Sequence, residues 1–116
     1  MPFSLERSDD GVVIGIDRTL IAGNRKEFKQ LVLDEVTEGR RQFRVDFRET
    51  SYVDSSGLGA LVSVAKAIRD RGGDIRIANL NSDLRTLFAL TKLDSLFLLE
   101  DTGDDGMAGQ SAGRGQ

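Results

Sequence analysis

The chain has 116 residues, of which 39% are hydrophobic and 30% charged, with a formal net charge of −3 and neither cysteine nor histidine. These numbers fit one domain with its own core. The missing residue types exclude disulfides, cysteine and histidine zinc sites and a Ser-His-Asp triad.

The overall acidity of the chain argues against a nucleic-acid partner, because such proteins usually present a basic face. Acidic residues lie close to the one basic cluster, Arg40, Arg41, Arg44 and Arg48. No apolar run approaches the ~20 residues that span a bilayer, and the N-terminus lacks a signal-peptide pattern. We therefore expect a cytoplasmic protein with no direct membrane insertion.

The first two elements along the chain form a predicted β-hairpin. Phe3 to Ser8 alternates weakly, and Val12 to Ile16 is a β-branched run. The intervening Asp9-Asp10-Gly11 is typical of a turn.

A helix is predicted next, from about Asn24 to Glu38. Asn24 followed by Glu27 resembles a capping box, and Gly39 is a typical helix end. Phe43 to Phe47 then alternates apolar and polar residues, which predicts a strand.

The second half of the chain predicts two further helices, each followed by a short strand. The helices are expected over Ser56–Arg71 and Asn81–Thr91, the latter capped by Asn81 or Ser82. The strands are expected near Ile75–Ile77 and Leu96–Leu99. The resulting order, β-β-α-β-α-β-α-β, favours an α/β fold: a small mixed sheet of four or five strands with helices packed on it.

The predicted core consists of apolar residues that recur at helix or strand spacing. They are Phe28, Leu31, Val32, Val45, Phe47, Leu61, Val62, Ile68, Ile75, Ile77, Leu87 and Phe88.

The most unusual segment is Val53-Asp54-Ser55-Ser56-Gly57-Leu58-Gly59, which lies where a strand ends and a helix begins. It lacks the G-x-S-x-G pattern and histidine of a serine hydrolase. It also lacks the Lys-Ser/Thr pair of a phosphate-binding loop, and Val62 replaces the third glycine of a dinucleotide fingerprint. The acidic run Asp101 to Gly106 does not have EF-hand spacing. We therefore predict no enzyme, catalytic residue, cofactor or metal.

Two interpretations of this segment remain open from the residues alone. Aspartate, serine and glycine are common in turns and helix caps, so the segment needs no function. Alternatively, an exposed serine here accepts a phosphate, which adds about −1.5 to −2 charge. The helix amides and dipole behind such a serine would tolerate that charge.

The motif Asp54-Ser55-Ser56-Gly57-Leu58-Gly59 resembles the signature of STAS domains, specifically of bacterial anti-sigma factor antagonists. Gly72-Gly73-Asp74-Ile75-Arg76-Ile77 is similar to that family's second glycine turn and the strand after it, and Leu87 to Phe97 is similar to its last helix and strand. We thus expect a STAS domain over residues 1–101. From its composition, the Gly-rich stretch over 102–116 is expected to be a disordered tail, of which residues 104–116 are dispensable.

The resemblance implies a partner switch. Such an antagonist, when unphosphorylated, binds an anti-sigma factor that is also a serine kinase, and a sigma factor is freed. It implies phosphorylation at Ser55, reversed by a serine phosphatase, with Ser56 as the helix cap. The expected partner-binding rim is Asp54, Ser56, Gly57 and Leu58. The alternative is a constitutive STAS subunit of a lipid or anion transport system, or a sensing scaffold.

One loop departs from the family pattern. Many members carry a glycine and then an acidic residue between the second strand and the first helix. Arg18 and Ile21 stand there in this chain.

Overall fold

The chain is described by a computed structural model that covers residues 2–100. The predicted Gly-rich tail over 102–116 lies outside the described residues. The domain boundary at 101 accordingly stays a prediction.

Within residues 2–100, seven strands form two sheets, and the larger is the predicted mixed sheet, with strand order β1-β2-β4-β6-β7. The strands are β1 (Phe3–Arg7), β2 (Gly11–Ile16), β3 (Arg18–Leu20), β4 (Gln42–Asp46), β5 (Thr50–Val53), β6 (Asp74–Ala78) and β7 (Leu98–Glu100). The hairpin β1–β2 is antiparallel, and every other pair in the large sheet is parallel.

The three predicted helices are present, each with boundaries within one residue of the prediction. They are α1 (Arg25–Thr37), α2 (Ser55–Asp70) and α3 (Ser82–Leu90), followed by a 3-10 turn at Leu93–Ser95. Contacts between aromatic rings show that α1 and α3 pack on the core. The ring centroids of Phe28 and Phe3 are 5.9 Å apart, and those of Phe88 and Phe47 are 6.2 Å apart. Strand β7 begins at Leu98, two residues later than the expected Leu96.

The second, smaller sheet was not predicted from the sequence. It pairs β3 with β5 in parallel and has only these two strands. Segments of three and four residues are too short for apolar alternation to be recognised. This sheet matters for function because β5 leads directly into α2.

Most of the predicted core is confirmed, and one residue of it is wrong. The fully buried members are Phe28, Val32, Val45, Phe47, Leu61, Ile68, Ile75, Ile77 and Phe88. Leu31 and Leu87 are partly buried against this core. Val62 is 38% exposed, because the buried stripe of α2 runs through Leu61, Val64 and Ala65 and turns Val62 away from it.

The contrast between Leu61 and Val62 gives a stability prediction. Leu61→Ala should lower the free energy of unfolding by ~2–5 kcal/mol, because it removes a fully buried side chain and leaves a cavity. Val62→Ala is the matched control, and it should change stability by less than about 0.5 kcal/mol. Urea melts measure both, and a loss below ~1 kcal/mol for Leu61→Ala would contradict this core assignment.

A buried carboxylate of α1 forms an ion pair with the N-terminal hairpin. Glu35 is 3% exposed and accepts two hydrogen bonds from Arg7, at 3.0 and 2.8 Å, while Arg40 lies 3.3 Å away. The hydrogen bonds from Arg7 hold the pKa of Glu35 below its usual range, against the opposing effect of burial. In the basic cluster, two of the four arginines are thus paired with carboxylates, Arg40 with Glu35 and Arg44 with Glu100.

Candidate functional site

The site begins where β5 ends and α2 starts, at the residue that caps the helix. Asp54 is in an extended conformation, and its Oδ1 accepts a hydrogen bond from the N–H of Gly57 at 2.8 Å. The expectation that Ser56 caps this helix is therefore wrong. Ser56 is already the second residue of α2, whereas the N-cap precedes the helix, and that position is held by Asp54.

Ser55 is the first residue of α2, and it is exposed. The first N–H groups of a helix have no partner within the helix, and the dipole places partial positive charge there. The Ser55 hydroxyl thus combines access from solvent with a setting that favours an anion.

Asp54 also connects α2 to the loop between β3 and α1. Its Oδ2 accepts a hydrogen bond from the N–H of Ala22 at 3.1 Å. The hydrogen bond from Gly57 is the largest cause that holds the pKa of Asp54 low, followed by those from Ala22 and Ser56 and by the charge of Arg25, while desolvation opposes them. Asp54 is consequently ionised and fixed in place.

The β3–α1 loop is folded by Asn24, although the predicted capping box does not form. Asn24 is the N-cap residue of α1 without a capping side-chain hydrogen bond. Its Oδ1 accepts from the N–H of Ile21, and its Nδ2 donates to the Thr19 carbonyl, both at 2.9 Å. The Asn24 side chain thus stabilises the loop itself, in which the N–H of Ala22 lies within hydrogen-bond distance of Asp54.

Arg18, one of the two departures from the family pattern, has a φ of +74°. Glycine adopts this left-handed region at no steric cost, whereas a residue with a Cβ is strained there. The conformation is held by the Arg18 N–H, which donates to the Glu49 carbonyl at 2.9 Å, and by Ser51 Oγ, which donates to the Arg18 carbonyl at 3.1 Å. Arg18 therefore adopts a backbone conformation that glycine favours, and these two hydrogen bonds hold it there.

The predicted rim of the site is only partly exposed. Asp54, Ser56 and Leu58 are half-buried beside the exposed Ser55. Gly57 is buried, contrary to the expectation that it lies on the exposed rim, and a Cβ there would lie 2.2 Å from the carbonyl oxygen of Leu20. Gly57 consequently lets α2 pack against β3 and offers little surface to a partner.

A groove that sequence reasoning missed runs from Ser55 towards α3. It has a volume of 530 Å³. The lining residues beyond the motif come mainly from β5 and α3; they include Tyr52, Asp83, Leu84, Leu87 and Thr91. Leu84 and Leu87 share one face of α3, and Thr91, the C-cap residue of this helix, continues their spacing. That spacing is visible in the sequence, but only the fold shows that this face lies beside Ser55.

The contacts of Asp54 predict an acid-dependent loss of stability. Because its pKa lies below the ordinary 3.8, its stabilisation is complete above pH 3.8 and is lost as the pH falls through the folded-state value. At pH 7, Asp54→Asn should thus be less stable than the unchanged chain, and the difference should shrink below pH 4. Urea melts of both proteins at several pH values measure this difference. The other carboxylates are present in both, so their contributions to the pH dependence cancel. A difference independent of pH would contradict the prediction.

The chain resembles known regulators in both sequence and structure. The STAS domain profile matches residues 3–106. The anti-sigma-B factor antagonist of Bacillus subtilis is 30% identical over 75% of this chain and 84% of that protein. A solved structure of a Thermotoga maritima protein assigned as an anti-sigma factor antagonist is 27% identical, with a TM-score of 0.82 over 90% of this chain and 91% of that one.

A third comparison concerns phosphorylation in a more distant protein. The Bacillus cell fate determinant SpoIIAA, solved in its phosphorylated form, superposes with a TM-score of 0.72 at 19% identity, over 90% of this chain and 96% of that one. At this identity the likeness shows the fold alone.

No helix in the part of the chain that the structure describes is long and apolar enough to cross a membrane. From the profile match, the signature at Asp54–Gly59 and the shared fold, the chain belongs to the STAS domain family.

Proposed function

We propose that this chain is an anti-sigma factor antagonist whose partner binding is switched by phosphorylation of Ser55. Unphosphorylated, it binds an anti-sigma factor that is also a serine kinase, and a sigma factor is freed. The observation that carries the proposal is the exposed Ser55 hydroxyl at the first residue of α2, beside a capping Asp54 fixed on both of its oxygens.

The chain acts as the substrate of the chemistry and not as its catalyst. The kinase transfers the γ-phosphoryl group of ATP to Ser55 Oγ, the hydroxyl proton is lost, and ADP leaves. A serine phosphatase hydrolyses the ester with water and restores the hydroxyl, with inorganic phosphate as product. This role is supported by the relatives, which are named as anti-sigma factor antagonists. We propose that the chain acts in the cytoplasm.

A phosphate on Ser55 has opposite effects on folding and on binding. Within the chain it faces the N-terminus of α2, where an anion stabilises the helix by ~0.3–1 kcal/mol. Inside a closely packed interface the same charge is desolvated without a partner, which weakens binding by several kcal/mol. The second effect is larger, so phosphorylation releases the partner while the domain stays folded.

The proposed partner surface is centred on Ser55 and includes Asp54, Ser56 and Leu58. Leu58 offers a half-buried apolar side chain one helical turn from Ser55. Gly57 supports this surface from beneath, because its close approach to Leu20 sets the position of α2.

The proposal is tested by phosphosite mapping. The purified chain is incubated with ATP and each serine-kinase anti-sigma factor encoded in its genome, and the product is analysed by mass spectrometry. We expect one phosphate, on Ser55, with none on Ser55→Ala and an unchanged yield on Ser56→Ala. Phosphate on Ser56 alone, or none with every kinase, would overturn the proposal in favour of a constitutive STAS subunit.

A further inference from the structure

The groove beside Ser55 has an apolar floor that the folded chain leaves open. Leu58 of α2 and Leu87 of α3 are its partly exposed apolar lining, above the buried Leu84. Tyr52 of β5 lies at its side with 56% of its surface exposed. Large exposed aromatic residues beside an apolar floor are typical of the anchor positions of protein interfaces.

The shape of the groove favours a protein segment over an enclosed small molecule. Its rim residues Ser51, Tyr52, Ser55, Asp83 and Thr91 are all exposed. Sites for small ligands are usually concave and bury most of the ligand surface. An open groove between a strand and two helices instead resembles those that receive one face of an amphipathic segment.

The charges around the groove specify the chemistry of that segment. Asp54 and Asp83 are its charged lining residues, and both are acidic. Both oxygens of Asp54 are already engaged by the N–H groups of Gly57 and Ala22. Asp83, in the first turn of α3, is exposed on the rim. The carboxylate available to a partner is therefore Asp83, and its complement is a cation.

We propose that the groove receives an apolar side chain of the anti-sigma factor, with a lysine or arginine of the same segment opposite Asp83. This inference rests on the proposed function, because Ser55 lies on the rim and a partner seated over Ser55 is continuous with the groove. Tyr52, Leu58 and Leu87 supply most of the affinity, and Asp83 supplies specificity and speeds association.

The test uses the serine-kinase anti-sigma factor that phosphorylates Ser55 in the mapping experiment. Its Kd is measured by calorimetry against the full chain and its variants. Tyr52→Ala should weaken binding about tenfold or more. Asp83→Asn should weaken it several-fold and reduce its dependence on salt, and Asp83→Lys should weaken it further.

Two control variants carry matched changes away from the groove. Leu33→Ala truncates a leucine on α1 that is 37% exposed, and Asp94→Asn removes an exposed carboxylate of the 3-10 turn. Both should leave the Kd unchanged. Thermal melts check that every variant is folded. We expect this result because Tyr52 and Asp83 are exposed, and substitutions of exposed residues usually change stability little.

The outcomes separate this inference from the function on which it rests. If the unchanged chain binds and is phosphorylated at Ser55 while Tyr52→Ala and Asp83→Lys bind equally well, the groove proposal is wrong and the switch stands. Tighter binding by Asp83→Lys would equally overturn it, since the partner would then present an anion. If no kinase binds the unchanged chain, both proposals fail.

Discussion

Gly57→Ala should destabilise the domain by about 3 kcal/mol or more, the upper range for an overpacked core. The added Cβ would lie 2.2 Å from the carbonyl oxygen of Leu20 and 2.9 Å from both the carbonyl carbon of Leu20 and Cγ1 of Val53. Two of these three atoms are backbone, so they cannot move aside by a change of rotamer. The first turn of α2 would have to separate from β3, and a urea melt measures the loss.

Gly59 is the matched control in the same motif and the same helix. An added Cβ there meets nothing within 4 Å. Gly59→Ala should thus stabilise the domain by about 0.5–1 kcal/mol, because alanine loses less backbone entropy than glycine in a helix. Equal effects of the two substitutions would contradict the packing of α2 against β3.

Ser55→Asp should weaken binding to the kinase more than about a hundredfold, which corresponds to an unpaired charge buried in an interface. Ser55 is exposed in the free chain, so the same substitution should leave the circular dichroism spectrum native. Ser55→Ala should bind like the unchanged chain and accept no phosphate there, leaving the kinase permanently occupied. Calorimetric titration of the kinase with each variant measures the difference.

Ser95→Asp provides a control with the same chemical change at an exposed residue of the 3-10 turn. It should bind the kinase as the unchanged chain does. A hundredfold loss for this variant as well would mean that net charge, and not the position of Ser55, sets the affinity.

The sequence predicts the main helices and strands of this fold. Each has a regular spacing of apolar residues, and turn or capping residues mark its ends. It does not predict how equivalent residues are used. Asn24 and Asn81 are both N-cap residues, yet only the Asn81 side chain makes a capping hydrogen bond, which it accepts from the N–H of Leu84 at 2.8 Å. The carboxamide of Asn24 is engaged in the β3–α1 loop, and this loop depends on a small sheet too short for sequence patterns to reveal.

The same limit applies to the candidate site. The motif identifies Ser55, because its residues are contiguous. It does not reveal that Gly57 is buried, since Leu20 comes from a strand that lies far from it in sequence. Nor does it reveal the groove, whose wall at Leu84 and Leu87 comes from α3. Contacts between distant segments are set by the packing of the whole domain, which local patterns do not encode.

The most direct test of the switch compares the chain phosphorylated stoichiometrically at Ser55 with the same sample after phosphatase treatment. Each is titrated into the kinase by calorimetry, and its melting temperature is recorded. We expect tight binding by the dephosphorylated chain and no measurable binding by the phosphorylated one, with a melting temperature that is equal or slightly higher when phosphate is present. Equal affinity of the two forms would contradict the account.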